Sequence, residues 1–291
     1  MNCNNCGKKD FQDHTQTVCY WTKIPLNAVK CKNCGLVFLN PRPDKSFGAE
    51  YFDHAYSNTN EFESHSYYRD HEKIFTRNTK RFGILKKSDL PNTNVLDFGA
   101  GQGHFVKVCI DNGWNSIGIE QSLAGINSAK QQLNVILLPS VEELHEHHFG
   151  AIALWDVIEH LENPKEVLMK LAKFLHKEGV FVIETSNINS YDYLINRKKW
   201  SYWHVDHYFY YSNFTLEYLL NSIGFEIVNT SKVIEASQSR SAPNFKRYLN
   251  LLNIKDIMKN ARLLYYLIAK RNVSKDSLVT MVARRKDSAK K

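Results

Sequence analysis

Val95-Leu96-Asp97-Phe98 is a short apolar run that ends in Gly99-Ala100-Gly101-Gln102-Gly103, and from Gly103 to Asn112 the pattern turns helical. A strand, three alternate glycines and a helix form the pattern that most restricts the fold of this chain. Glycines lack a Cβ, so backbone there can close on a ligand. The helix N-terminus behind them favours a carboxylate or phosphate. The spacing is Asp-x-Gly-x-Gly-x-Gly. The dinucleotide pattern Gly-x-Gly-x-x-Gly puts its third glycine where this chain has His104, so that pattern fails.

The alternation continues downstream. Strands are predicted at 116–120, 135–138, 151–155 and 179–184, with helices at 122–132 and about 164–175. Pro164 suits the first turn of its helix, and Gly113 and Gly179 stand where helices stop. This rhythm predicts an α/β fold, a parallel sheet with helices on both faces. A short helix at 215–223, closed by Gly224, and strands at 225–233 and 277–283 follow, with 284–291 as a loose tail. Upstream, Tyr67, His71, Ile74, Phe75, Asn78, Phe82 and Leu85 form a stripe that predicts a helix over 64–87.

Cys3-x-x-Cys6 and Cys31-x-x-Cys34 cluster at the start, and each pair is followed by glycine, Gly7 or Gly35. Two such knuckles give tetrahedral sulfur coordination, which suits structural zinc. Cys19 and Cys109 read as ordinary structural thiols. Asn40-Pro41-Arg42-Pro43 forces extended backbone and marks a boundary. The expected organisation is a zinc module at 1–43, a helical connector at 44–90 and the α/β domain at 91–291, with a helical insertion at about 236–272.

Apolar residues make up 43% and charged residues 23% of the 291, which excludes a disordered or fibrous chain. No run approaches the ~20 apolar residues of a membrane span. The N-terminus lacks the apolar run of a secretory signal, so a reducing, cytoplasmic location is expected. The net charge of +8 is local. Residues 246–291 hold 13 Lys and Arg against 3 Asp, while the other 245 residues hold 25 basic against 27 acidic. An acidic main body makes nucleic acid an unlikely partner. The basic end, with the amphipathic stretch 248–268, either packs on its own domain or makes weak peripheral contact with an anionic membrane.

With Glu120 ending the second strand, the chain resembles the class I S-adenosylmethionine-dependent methyltransferases over about 90–235 and the last strand. The resemblance implies a Rossmann-like, seven-stranded sheet with an antiparallel final strand. It also implies that Gly99, Gly101 and Gly103 line the methionine and ribose, and that Asp97 lies near the methionine amino group. Glu120 would accept the ribose hydroxyls, and Ser140-Val141-Glu142 would place Val141 at the adenine. Asp156-Val157-Ile158-Glu159-His160-Leu161 is similar to the family's segment after the fourth strand. There Asp156 and His160 orient cofactor and backbone, or Asp156, Glu159 and His160 hold a second metal, as a similar segment can in ubiquinone-type O-methyltransferases.

Trp200-Ser201-Tyr202-Trp203-His204-Val205-Asp206-His207-Tyr208-Phe209-Tyr210-Tyr211-Ser212 holds seven aromatics among 13 residues. Aromatic faces pack on sugars and rings, and a carboxylate beside a histidine can orient it as a base. The segment is similar to the His-Glu-His…Tyr-Phe-Ser segment of deoxysugar C-methyltransferases, which also carry an N-terminal zinc module. That resemblance makes His207 the general base, with Asp206 in the glutamate's place. Two residues, where the family has one, separate His204 from His207. The alternative is a packed lid with a structural histidine. The expected function is O- or C-methylation of a sugar or nucleotide-linked sugar, within carbohydrate biosynthesis. The alternatives are an RNA base methyltransferase gripping RNA through zinc, and a non-catalytic S-adenosylmethionine-binding partner protein.

Overall fold

The computed structural model describes residues 2–44, 70–144, 148–230, 274 and 276–286. The expected insertion at 236–272, the first turns of the 64–87 helix and the tail beyond 286 lie outside these residues. No helix among the described residues is long and apolar enough to cross a membrane.

Two sheets organise the chain. The larger is built from β4 (Asn94–Phe98), β5 (Asn115–Ile119), β6 (Leu137–Leu138), β7 (Phe149–Trp155), β8 (Leu175–Ser186), β10 (Phe225–Thr230) and β11 (Leu278–Arg285). Their order is β10-β11-β8-β7-β4-β5-β6. β8, β7, β4, β5 and β6 run parallel, while β11 is antiparallel to both β8 and β10. This is the seven-stranded sheet with an antiparallel last strand that the family resemblance implies. All seven residues of β7 are buried, as a strand covered on both faces requires. β4 and β7 leave the switch point in opposite directions along the sheet, and ligands bind outside the carboxyl ends at such a point.

Gly179 lies inside β8 and ends no helix, contrary to the sequence expectation. The helix α3 (Pro164–Leu171) stops earlier, and a Cβ on Gly179 would meet the Phe149 carbonyl oxygen at 2.8 Å. Glycine is there because two backbones approach closely.

The smaller sheet was not legible in the sequence. β1 (Phe11–Val18) and β2 (Pro25–Cys31) form a hairpin, and β3 (Val37–Leu39) pairs with β2. β9 (Phe209–Tyr210) adds antiparallel to β3, Val37 opposite Tyr210 and Phe38 opposite Phe209. β1 carries mostly polar residues, so it lacks the apolar alternation that announces a strand. The cysteine-rich segment and the aromatic run thus share one sheet.

The helix α1 (His71–Lys86) begins at Asp70, whose side chain accepts from the Lys73 N–H at 3.2 Å. It buries Ile74, Phe82, Ile84 and Leu85, and also Asn78 and Arg81. Arg81 donates to Asp156 Oδ2 at 2.5 Å and to Glu184 Oε1 at 2.6 Å from Nη2 and 3.0 Å from Nε. Arg77 reaches the same Asp156 and Glu184 oxygens, at 2.5 and 3.1 Å. Thr280 of β11 donates to Glu184 Oε2 at 2.9 Å. Glu184 is fully buried, so its charge is tolerable only through these donors. Breaking a buried ion pair from one side strands the other charge, at about 3–5 kcal/mol. Arg81→Met should therefore lower the free energy of unfolding by about that amount in urea titrations followed by circular dichroism. A loss below about 1 kcal/mol would mean that packing alone holds α1.

Candidate active site

The glycine turn closes the carboxyl end of β4. Gly99 and Ala100 both donate their N–H to the Ile119 carbonyl, at 2.8 Å each. Gly101 N–H donates to Glu120 Oε2 at 2.7 Å, and Ser122 N–H to Glu120 Oε1 at 2.8 Å. Glu120 thus ties the loop to the end of β5. A carboxylate oxygen can accept more than one hydrogen bond, so holding the loop does not by itself bar Glu120 from accepting a hydroxyl. Gly99 has φ +78°, and a Cβ there would lie 2.5 Å from Val157 Cγ2. Gly103, at φ +77°, caps α2 (His104–Asp111).

Asp97 is 2% exposed, and its Oδ1 has no hydrogen-bond partner among the described residues. Burial pushes its carboxyl up to about 7, against the pull of Arg81. An orphaned carboxylate oxygen beside a glycine loop suits an ammonium group. Val141, 8% exposed, opens the 3-10 turn Val141–Glu143 after β6. Asp156 has φ +58° at the end of β7. Burial favours its neutral form, yet Arg77 and Arg81 hold its carboxyl below the usual range. Its described partners are these arginines, so the structure gives a metal at Asp156 two cations to compete with.

The second cluster gathers His160, His204, Asp206 and His207. His160 Nδ1 lies 3.2 Å from Asp206 Oδ2 and 3.0 Å from the Asp206 carbonyl oxygen. Burial favours neutral His160, but Asp206 outweighs it and raises the ring to about 9. His207 packs edge-to-face on His160, with centroids 4.7 Å apart, and lies 4.5 Å from His204. Burial, with His204 and His160 nearby, holds His207 well below the ordinary imidazole range. Its Nδ1 has no hydrogen-bond partner among the described residues. Glu159, 1% exposed, is pushed up to about 7 by burial. The tertiary structure therefore gathers His160, Asp206 and His207, all three expected at the site, but pairs them differently: the Asp206 carboxylate faces His160, and at 3.9 Å His204, and makes no hydrogen bond to His207.

The aromatic run departs further from the expected platform. Trp200, Trp203, Phe209, Tyr210 and Tyr211 are fully buried. Trp200, Trp203 and Tyr210 form a core with Cys19, Leu26, Ala28, Val37 and Leu39 of the smaller sheet. Period-free aromatic runs do not say which face is wet, and here the smaller sheet covers them. Arg77 and Arg81 were missed because a cation on a helix reads as a solvated face, and Glu184 because a carboxylate in a strand does not name its partners in the sequence. Their only sequence signal is that Arg81 stands between the stripe residues Asn78 and Phe82.

The four cysteine sulfurs lie within 4.8 Å of one another. Cys3 Sγ is 3.4 Å from Cys34 Sγ, and Cys6 Sγ is 3.5 Å from Cys31 Sγ. Gly7 N–H donates to the Cys3 carbonyl at 2.8 Å and Gly35 N–H to that of Cys31 at 2.9 Å, which closes the two knuckles. Four sulfurs at such spacing fit the corners of a tetrahedron around one metal ion with Zn–S bonds of ~2.3 Å.

A sequence pattern described as a methyltransferase domain matches residues 66–230, more than half the chain, and the chain belongs to that family. The ubiquinone biosynthesis O-methyltransferase of Rickettsia bellii (strain OSU 85-389) is 28% identical over 115 residues, 37% of this chain and 48% of that protein. Its Rickettsia typhi counterpart is 26% identical over 117 residues, covering 38% and 48%. The chain spans about half the length of the curated relatives it matches. Among solved structures, a chain of the complex between the Haloferax volcanii Trm112 methyltransferase activator and a methyltransferase superimposes with TM-score 0.54 at 12% identity, covering 80% of this chain and 97% of that one. Magnesium protoporphyrin IX methyltransferase from Synechocystis PCC 6803 with bound SAH gives 0.52 at 12% identity, covering 83% and 100%. The fold is that of a class I S-adenosylmethionine-dependent methyltransferase domain.

Two outcomes follow from this geometry. Gly99→Ala should abolish calorimetric binding of S-adenosylhomocysteine, because it strains φ and collides with Val157. Adding Val157→Ala should restore part of it, since the collision goes and the strain stays. The second concerns pH. His160 stays protonated in the fold to about 9, and in the unfolded chain only to about 6.5. Its stabilising contribution is full below pH 6.5 and is lost between about 6.5 and about 9. Asp206→Asn should flatten the fall in urea midpoint across that window, and an unchanged slope would assign the fall to other groups.

Proposed function

We propose that this chain transfers a methyl group from S-adenosylmethionine to an oxygen or an acidic ring carbon of a small acceptor, a sugar or nucleotide-linked sugar. The observation that carries the reading is His207, a buried histidine held neutral, with a free Nδ1 beside a charged His160–Asp206 pair. When bound, S-adenosylmethionine supplies an already activated methyl group on a sulfonium. What the protein must add is position and a place for the acceptor's proton.

Asp97 would take the methionine ammonium, since its orphaned Oδ1 gains the donor that it lacks. Glu120 would accept the ribose hydroxyls while it keeps Gly101 and Ser122 in place. Gly99, Gly101 and Gly103 leave the loop open to close approach, and Val141 would pack against the adenine. Asp156 acts indirectly, by pinning α1 across the carboxyl ends of β7 and β8. His207 would take the acceptor's proton at Nδ1, the atom that has no partner among the described residues. His160, already charged, opposes protonation of His207 before the acceptor arrives. With His207 only 5% exposed, the acceptor meets it along one edge. The net charge of residues 1–245, two below neutral, gives little attraction to an RNA backbone.

Zinc in the Cys3, Cys6, Cys31 and Cys34 cluster would be structural. Four thiolates leave no open position, and closed sites contribute folding energy. It would hold the end of β2 and, through β3, the strand β9 that follows His207.

His207→Ala should lower turnover by about 10²–10⁴-fold with S-adenosylhomocysteine affinity unchanged. The assay is a methyl-transfer screen with nucleotide sugars and RNA side by side, read by mass spectrometry. Equal loss of cofactor affinity would assign His207 to cofactor binding, and methylated RNA would replace the sugar reading. Metal analysis should find about one zinc per chain, and Cys34→Ser should remove it and lower the melting temperature.

A further inference from the structure

The rings of residues 200–212 are largely core, yet an aromatic pair from another part of the chain stands open beside the histidines. The hairpin between β1 and β2 carries Tyr20, 39% exposed, and Trp21, 37% exposed. Tight hairpin tips usually hold small polar residues, so two large rings at this tip call for a physical reason. The rings meet at 87° with centroids 4.8 Å apart. The Lys23 ammonium lies 5.2 Å from the Tyr20 centroid. Trp21 lies 6.1 Å from the ring of His204, and His204 lies 4.5 Å from that of His207. An unbroken line of rings therefore runs from the exposed Trp21 to the buried base.

The tip is fixed. Tyr20 N–H donates to the Trp203 carbonyl at 2.6 Å, Cys19 N–H to Ile24 at 2.7 Å and Lys23 N–H to Cys19 at 3.0 Å. Cys19 itself is 1% exposed. The backbone is thus held against the histidine segment while the two rings stay outside. Perpendicular rings make a corner with no parallel-walled slot for a planar guest. A pyranose suits such a corner: its C–H face packs flat on one ring, and its hydroxyls stay free for polar neighbours. Those neighbours include His204, whose Nε2 already meets the Ser201 carbonyl at 2.8 Å.

We propose that Tyr20 and Trp21 form the acceptor's ring-binding wall, with the apolar face of a pyranose against Trp21 and one hydroxyl-bearing edge toward His207. The inference rests on the sugar reading of the site and adds that the N-terminal hairpin selects the ring. The cysteine knuckles acquire a purpose here, since the sheet they brace carries the wall.

The test uses the full chain saturated with S-adenosylhomocysteine. The probes are UDP-glucose and dTDP-glucose, with 4-hydroxybenzoate as the planar comparison. Saturation-transfer NMR and tryptophan fluorescence report binding. The hexose ring protons should receive saturation. Trp21→Ala should weaken the hexose by about fivefold, Trp21→Phe should recover most of that loss, and S-adenosylhomocysteine affinity should not change. Equal hexose binding by wild type and Trp21→Ala would overturn the wall and leave the sugar reading standing. Trp21-dependent binding of 4-hydroxybenzoate without the hexoses would overturn the pyranose and the sugar reading together. Binding of no probe to the wild-type chain would overturn the proposal.

Discussion

Five carboxylates gather at the carboxyl edge of one parallel sheet: Asp97, Glu120, Asp156, Glu159 and Glu184. Held this close in partly dry surroundings, they would repel one another and resist ionisation. The fold deals with each differently. Arg77 and Arg81 neutralise Asp156 and Glu184. Backbone N–H groups of the glycine loop and of Ser122 satisfy Glu120. Asp97 and Glu159 are left to burial, and both rise to about 7. The carboxylates without strong partners are thus distinguished from those that hold structure, and Asp97 is the one beside the glycine loop.

The second constraint is the pairing of β3 with β9. Two residue pairs, Val37 with Tyr210 and Phe38 with Phe209, fasten the cysteine segment to the strand just after His207. Arg42 strengthens the join. Its guanidinium lies 4.8 Å from the Phe209 centroid and 5.5 Å from that of Tyr208, and it donates to the Glu162 carbonyl at 2.9 Å. A cation stacked on aromatic faces keeps both its hydrogen bonds and its contact area. The N-terminal segment is thereby built into the histidine site.

The histidines show how neighbours divide one residue type into roles. His160 sits on Asp206 and remains charged, while His207, a ring's width away, is kept neutral by burial and by that same charge. Asp206 itself is held well below the carboxylate range despite burial, because His160 faces it. The sequence placed Asp206 beside His207 because they are neighbours in the chain. In space its carboxylate turns to a residue 46 positions away.

The sequence by itself determined the large sheet and the glycine loop. Those features are local: period-two and period-3.6 patterns, glycines where positive φ or close approach demands them, and cysteines at knuckle spacing. It also determined the stripe of α1 that faces the core. Tertiary structure alone decided the meaning of Arg81, of the aromatic run and of Asp206. Their roles depend on what lies opposite: Glu184 and Asp156 across from Arg81, the smaller sheet across from Trp200 and Trp203, and His160 across from Asp206. A side chain's burial and charge state belong to its neighbours, and neighbours drawn from distant parts of the chain are assigned only when the sheets close.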